Sequence, residues 1–245
     1  LYEDPEFNDN GRMITINGYN TDIITDNAIE FIAKHKRDSQ PFYLHLSYKA
    51  IHRPFTPAPR HRDTLDFDAK ALTRPNSKEF RKWERDSRAE TLLAVDDSVG
   101  RIYEYLKVRG MLDNTVLVFT SDNGFFYGEH GFSDKRLFYN ESIRIPWVVH
   151  YPALELAGQE IEEHILNIDH VPTVLDLAGV DIPEGLHGRS YLPLLERGEQ
   201  QPMWRDHWVY EYFNEDEFPH LPTHVAVVTP THKLVKFPEG PALFE

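Results

Sequence analysis

The chain has 245 residues, 40% of them hydrophobic and 13% aromatic, enough for one large core and too apolar for a disordered chain. Its formal net charge of −14 repels nucleic acid and anionic membranes, so neither is expected as a partner. Any site for an anionic substrate must then be a local basic pocket inside an acidic shell.

There is no cysteine, which excludes disulfides, thiolate metal sites and a cysteine nucleophile within these residues. No apolar run approaches transmembrane length, and the first residues do not read as a signal peptide. Leu1-Tyr2-Glu3-Asp4-Pro5 opens without methionine and Leu243-Phe244-Glu245 stops without a cap, which reads as two cuts through a longer protein.

In chain order, residues 1–20 read as loop, being rich in Asn, Asp and Gly. Thr21-Asp22 can cap a helix whose apolar positions are Ile24, Ala28, Phe31 and Ile32. Gln40-Pro41 breaks it, and Phe42–Ser47 reads as a strand with Phe42, Leu44 and Leu46 on one face. Residues 48–75, with many Pro and Arg, form a long loop of the kind that is usually functional or mobile. A helix is expected from about Lys78 to Val108, with Leu92, Val95, Val99, Ile102 and Leu106 as its stripe and Gly110 as its stop.

Val116–Thr120 is a continuous apolar run, as in a buried parallel strand. A strand at Ile145–His150 and a helix at His170–Ala178 follow. This alternation predicts an α/β fold with a mostly parallel central sheet flanked by helices. His207–Phe213, His224–Thr229 and Lys233–Phe237 read as a small antiparallel sheet. The expected domains are residues 1–200, an α/β portion, and 201–245, a small C-terminal subdomain.

The most informative stretch is Thr120-Ser121-Asp122-Asn123-Gly124, just beyond the apolar strand, where open α/β sheets bind ligands. Asp122 and Asn123 offer two adjacent hard oxygens suited to calcium or magnesium rather than zinc. By itself the motif reads more readily as an Asx turn with Gly124 at positive φ than as a metal site. Gly128-Glu129-His130-Gly131, Ser133-Asp134-Lys135-Arg136 and Tyr139–Pro146 follow at close spacing.

The run from Asp113 to Pro146 resembles the C-terminal signature of the sulfatase family, within the alkaline phosphatase superfamily. The resemblance covers nearly the whole chain: Gly18-Tyr19 with Thr21-Asp22, Tyr48–His52, Asp169 with Pro172-Thr173, and Gly188-Arg189-Ser190 match similar segments. It implies an alkaline phosphatase-like fold and one divalent cation, usually calcium, held by Asp122, Asn123 and two acidic residues nearer the N-terminus. It also implies a formylglycine nucleophile made within a Cys/Ser-x-Pro-x-Arg motif. No Ser here begins that pattern and there is no Cys, so the nucleophile is expected upstream of Leu1 and the chain alone is expected to be inactive. In the dinuclear zinc relatives a His follows the strand-end Asp, so Asn123 favours a mononuclear site and sulfate over phosphate esters.

Lys135 matches the family lysine that contacts sulfate; an ammonium there neutralises charge developing on the sulfuryl and departing oxygens. His52 matches a histidine that contacts sulfate, and an imidazole titrating near neutrality can protonate a leaving alkoxide. Without the motif, Lys135 reads as a surface lysine and His52 as a loop histidine bonded to backbone. Lys49 and His130 can line the substrate side, Arg136 can pair with an acid, His170 reads as a cap or packing residue, and His187 and Arg189 as turn braces.

The form of residues 128–136 is most similar to carbohydrate sulfatases such as glucosamine-6-sulfatase-like enzymes. The implied partner is a sulfated small molecule or glycan, and the implied compartment periplasmic, secreted or lysosomal. Trp204–Phe218 is either sugar-stacking surface or core of the small sheet. A phosphoester or phosphonate hydrolase of the same superfamily, and an inactive module that binds sulfated glycans, are the alternative readings.

Overall fold

The computed structural model describes residues 1–35, 40–64, 82–155, 158–196, 203–238 and 242–244. The chain divides into two units, residues 1–113 with 127–131, and residues 114–126 with 132–245. Among the described residues no helix is long and apolar enough to cross a membrane.

In the first unit, the residues expected to be loop contain a hairpin, β1 (Glu6–Asp9) with β2 (Arg12–Thr15), closing on Asp9↔Arg12. The signal is Asn10-Gly11, both at positive φ (50° and 91°), the pair that a tight two-residue hairpin turn requires. Helix α1 (Asn20–His35) buries Ile23, Ala28 and Ile32. Helix α2 (Lys82–Val108) buries Val95, Ile102 and Leu106 of its expected stripe, while Leu92 and Val99 are exposed. The stripe is rotated because its buried face carries Thr91, Ala94 and Ser98. The Oγ atoms of Ser98 and Thr25 lie 2.5 Å apart, and the Tyr48 hydroxyl is 2.6 Å from Ser98 Oγ. A hydroxyl chain therefore lies between these elements, and every buried polar group in it has a partner. Lys78–Arg81 lie outside the described residues, as do residues 65–75 of the expected long loop. Gly110, at φ 65°, closes the C-terminus of α2.

Phe42–Ser47 is extended, and its burial alternates as expected, with Phe42, Leu44 and Leu46 turned inward. It is not a strand, however, because no ladder pairs with it among the described residues.

In the second unit, β3 (Leu117–Thr120) leads to the two-residue pieces β4 (Phe126–Tyr127, whose Tyr127 belongs to the first unit) and β5 (Ser133–Asp134), the single turn α3 (Asn140–Ile143) and β6 (Trp147–His150). The parallel expectation does not hold here: β3 and β6 pair antiparallel, Leu117↔His150 to Thr120↔Trp147. The chain turns back where Gly124 N donates to Ser142 O at 2.8 Å, so the second strand returns instead of crossing over. Nor is β3 fully buried, since Phe119 and Thr120 are exposed.

Helix α4 (His170–Leu177), short helix α5 (Leu192–Glu196) and an antiparallel sheet ordered β10–β9–β8–β7 complete this unit. The strands are β7 (Trp208–Tyr212), β8 (His224–Val228), β9 (Lys233–Lys236) and β10 (Ala242–Phe244), in line with the expected small sheet. Phe138, Ala226, Val228 and Val235 form its core, with Tyr139 and Trp208 packed against them, so at least part of the 204–218 aromatic run is core.

Two contacts fix the loops around β3. A Cβ on Gly124 would lie 2.1 Å from the Glu141 carbonyl oxygen, so this position accepts only glycine; its φ is not positive, contrary to the Asx-turn expectation. Asp169, fully buried, accepts both Nη atoms of Arg205 (2.5 and 2.6 Å) and the backbone N–H groups of Leu166 and Arg189 (2.7 and 3.0 Å). Four donors on one carboxylate satisfy it without water.

Gly124→Ala forces backbone against backbone, and its expected cost is about 1–3 kcal/mol in a urea melt of the intact protein. Asp169→Ala strands the Arg205 guanidinium and is expected to cost about 3–5 kcal/mol.

His224 is fully buried, its Nδ1 bonded to the Pro222 carbonyl at 2.9 Å and its ring surrounded by Phe138, Tyr210, Tyr212 and Phe237. Burial pushes its imidazole below the ordinary range, partly opposed by the Pro222 bond. The unfolded chain then takes the proton first, so this residue costs stability as pH falls below about 6.5 and is neutral above it. The melting temperature of His224→Phe should fall less than that of the unaltered protein between about pH 7.5 and about pH 5.

Candidate functional site

Thr120 ends β3 with its Oγ1 donating to the Pro146 carbonyl at 2.9 Å, so the loop that follows starts from a fixed point. Asp122 is exposed and its Oδ1 accepts Asn123 N at 2.9 Å and Ser121 Oγ at 3.3 Å. One carboxylate oxygen thus performs the local capping of the Asx-turn alternative. Asp122 Oδ2 accepts no hydrogen bond among the described residues. Asn123 Nδ2 donates to Gly124 O at 2.7 Å, which turns the amide oxygen the other way. That oxygen accepts Lys135 Nζ at 3.1 Å.

Lys135 reaches Asn123 because the residue after it is tied to the same turn that holds Gly124. Arg136 N donates to Ser142 Oγ at 3.1 Å, and Ser142 O accepts Gly124 N at 2.8 Å. Arg136 pairs with Asp134 (2.6 Å) and Glu215 (3.2 Å) and lies 3.7 Å from the Phe218 ring centre, so the acid pairing expected of it is present.

The donor set suits a hard divalent cation in type: a carboxylate oxygen free of hydrogen bonds beside an amide oxygen whose orientation is fixed. Two protein oxygens are half or less of such a shell, and no group of three or more His, Asp or Glu able to hold a metal occurs among the described residues. The residues present therefore fit part of a hard divalent-cation site.

Lys49 and His52 share a loop of the first unit. His52 N donates to Lys49 O at 2.8 Å, and the Tyr2 hydroxyl donates to both His52 O (2.5 Å) and Lys49 O (3.2 Å). Tyr2 is buried, stacks 5.9 Å from Tyr19, and burial pushes its hydroxyl well above its ordinary range, which keeps it a neutral donor. Lys49 Nζ lies 5.7 Å from the Tyr2 ring centre and 3.4 Å from Arg53 O. His52 is exposed, with Nδ1 2.9 Å from Arg53 O. A carbonyl only accepts, so Nδ1 carries the hydrogen and Nε2 is the nitrogen left to gain or lose a proton.

His130 is also exposed in the first unit, at φ 53° between Gly128 (φ 106°) and Gly131 (φ 79°). Glu129 Oε2 accepts Tyr127 N at 2.5 Å, and the Arg88 guanidinium lies 3.4 Å from the Tyr127 ring centre. The structure thus brings Asn123 and Lys135 into contact beside Asp122 in one unit, and Lys49 and His52 together in the other, which also holds His130.

Sequence reasoning missed three supporting residues. Tyr2 pins the His52 loop from nearly fifty residues away, which no local pattern announces. Ser142 ties Gly124 to Arg136. Asn167 Nδ2 donates to Asp122 O at 3.1 Å; its neighbour Asp169 was the only signal there. His170 is a packing residue, its ring 5.9 Å from that of Trp147, and Arg189 braces its turn through its backbone N–H to Asp169.

The sulfatase family model matches residues 1–180, and that of the C-terminal part of N-sulphoglucosamine sulphohydrolase matches residues 128–245. The N-acetylglucosamine-6-O-sulfatase of Bacteroides thetaiotaomicron is 32% identical over 317 residues, covering 96% of this chain and 57% of that protein. An extracellular sulfatase SULF-1 homolog of Drosophila melanogaster is 33% identical over 214 residues, covering 78% of this chain and 19% of that one. The solved structure of BT4656 with its substrate D-glucosamine-2-N,6-O-disulfate superposes with a TM-score of 0.83 at 31% identity, over 100% of this chain and 66% of that one. The chain thus spans little more than half of the first curated relative it matches. The fold is that of these α/β enzymes, and with the family's own model matched over 180 of 245 residues, this chain belongs to the sulfatase family.

Proposed function

We propose that this chain supplies part of the active site of a sulfatase that hydrolyses sulfate esters of carbohydrates, with one calcium ion held in part by Asp122 and Asn123. The observation that carries the reading is the 3.1 Å contact of Lys135 Nζ with Asn123 Oδ1, beside the Asp122 carboxylate at the end of β3. It gathers two hard oxygens and a cation at one point, which is what a cation and a sulfate group need in order to be held side by side. The names of the relatives, an N-acetylglucosamine-6-O-sulfatase and a protein bound to a disulfated glucosamine, support an amino-sugar sulfate as substrate.

In this reading the nucleophile is a formylglycine that precedes Leu1, and the remaining metal ligands precede it too. Calcium, when bound, supplies charge that offsets the negative oxygens of the sulfuryl group. Asn123 Oδ1 keeps a second lone pair while it accepts Lys135, so the same amide can serve both. Lys135 neutralises charge growing on the sulfuryl oxygens and on the bridging oxygen. His52, with Nδ1 fixed on Arg53 O, delivers a proton from Nε2 to the departing alkoxide. Lys49 and His130 bind the sugar side of the substrate. Residues 1–200 are then the α/β portion and 201–245 a small C-terminal subdomain, and the protein works in the periplasm, outside the cell or in lysosomes. The phosphoester alternative asks for a second metal and an imidazole after Asp122, where Asn123 stands.

With the intact protein, made alongside a formylglycine-generating enzyme and assayed on glucosamine 6-sulfate, Lys135→Ala should lower kcat/KM at least about a hundred-fold, the scale of losing one oxyanion donor. Asn123→Ala should raise the calcium concentration needed for half-maximal activity at least about ten-fold, by removing one ligand. Unchanged turnover in the lysine variant would remove Lys135 from the chemistry, and an unchanged calcium requirement would remove Asn123 from the metal.

A further inference from the structure

A second basic cluster lies in the same unit as Asp122 and has no role in the site already described. Arg189 and Arg205 stack on one indole, their Cζ atoms 4.2 and 4.9 Å from the Trp204 ring centre. Trp204 Nε1 and Arg205 Nη1 both donate to the His164 carbonyl, each at 2.8 Å. Trp208 Nε1 donates to His164 Nδ1 at 2.9 Å, so Nδ1 accepts and the ring hydrogen sits on Nε2. That leaves the imidazole with an N–H donor, near the guanidiniums of Arg205 and Arg144.

The charges do not cancel. The carboxylate in the cluster is Asp169, which is fully buried and bonded twice to Arg205. The Arg189 guanidinium makes no ion pair or hydrogen bond among the described residues, and neither does that of exposed Arg144. Burial and then the nearby Arg205 depress Arg189, with Asp169 opposing; burial and then Arg144 and Arg205 depress His164. Both shifts come first from burial, and the neighbouring guanidiniums add to it, in a chain whose net charge is −14. A guanidinium recognises planar or tetrahedral oxyanions through parallel N–H donors; Arg205 spends three of its donors on Asp169 and the His164 carbonyl, whereas Arg189 keeps its own.

The cluster is close to the metal-side loop. Asn167 follows His164 by three residues, a reach of at most about 11 Å. Its side chain holds the Asp122 carbonyl at 3.1 Å.

We propose that Arg189, Arg205 and the His164 N–H form an oxyanion subsite beside the Asp122–Asn123 loop, which takes a second charged substituent of the saccharide, a sulfate or a carboxylate. That the ligand is a saccharide rests on the sulfatase reading; that it is an oxyanion rests on the cluster itself. The subsite gives an acidic protein the local attraction it needs for a multiply anionic substrate.

The test compares three substrates on the intact protein: glucosamine 6-sulfate, glucosamine 2-N,6-O-disulfate, and a 6-sulfated disaccharide carrying a uronate carboxylate. Arg189→Ala is expected to lower kcat/KM for one or both doubly charged substrates at least ten-fold more than for the monosulfate, mainly through KM. Arg189→Lys should restore part of the difference. The bond from Arg189 to Asp169 runs through the backbone, so both variants spare the buried pair. The substrate with the larger selective loss identifies the substituent. Equal losses on all three overturn the subsite. If the unaltered protein releases sulfate from none of them, the sulfatase reading fails, and calorimetric titration with the disulfate decides the subsite alone. A ten-fold or greater weakening in Arg189→Ala supports it, and an unchanged affinity overturns it.

Discussion

The close approach of Gly124 to the Glu141–Ser142 turn is the constraint on which the candidate site depends. With no side chain at residue 124, the backbone after β3 meets the turn directly, and Gly124 N bonds Ser142 O at 2.8 Å. The turn's own hydroxyl then holds Arg136 N, which sets Lys135 one residue away at hydrogen-bond distance from Asn123. The segments at Gly124, Arg136 and Ser142 are thereby clamped by one backbone bond and one short hydroxyl bond, which do not swing as long side chains do. Sites held this way lose less entropy when a ligand binds.

A second clamp reaches Asp122 through its carbonyl. The buried Asp169 carboxylate gathers Arg205, Leu166 and Arg189, and Asn167 between them touches the Asp122 carbonyl. A paired buried charge of this type adds little net stability but is costly to break, so it acts as a fixed joint more than as glue. The same joint accounts for the excess of positive charge at its surface. Asp169 can neutralise one guanidinium, that of Arg205, while Arg189 lies near both.

Much of this could be read from the sequence where the signal is local. The helices α1, α2 and α4, and the strands β3 and β6 to β9, lie where periodicity and turn residues put them. The Asp122–Asn123 pair and Lys135 were legible because the motif packs them within fourteen residues. What was misread depended on partners distant in sequence. The direction of the β3–β6 pair follows from the Gly124–Ser142 contact, and an apolar run looks the same in either direction. The stripe of α2 was misjudged because Thr91 and Ser98 are buried by hydroxyl partners that polarity alone argues against. Phe42–Ser47 has the alternation of a strand but no ladder, and alternation reports a face, not a neighbour. Tyr2, which pins His52, has no motif at all.

The account stands on a hard cation held by Asp122 and Asn123 next to the Lys135 ammonium. The most direct measurement is a crystal structure of the intact protein grown with calcium. It is expected to show the ion about 2.3–2.6 Å from a carboxylate oxygen of Asp122 and from Asn123 Oδ1, with Lys135 still beside the amide. A calcium ion bound elsewhere, with Asp122 and Asn123 bonded only to protein, would contradict it.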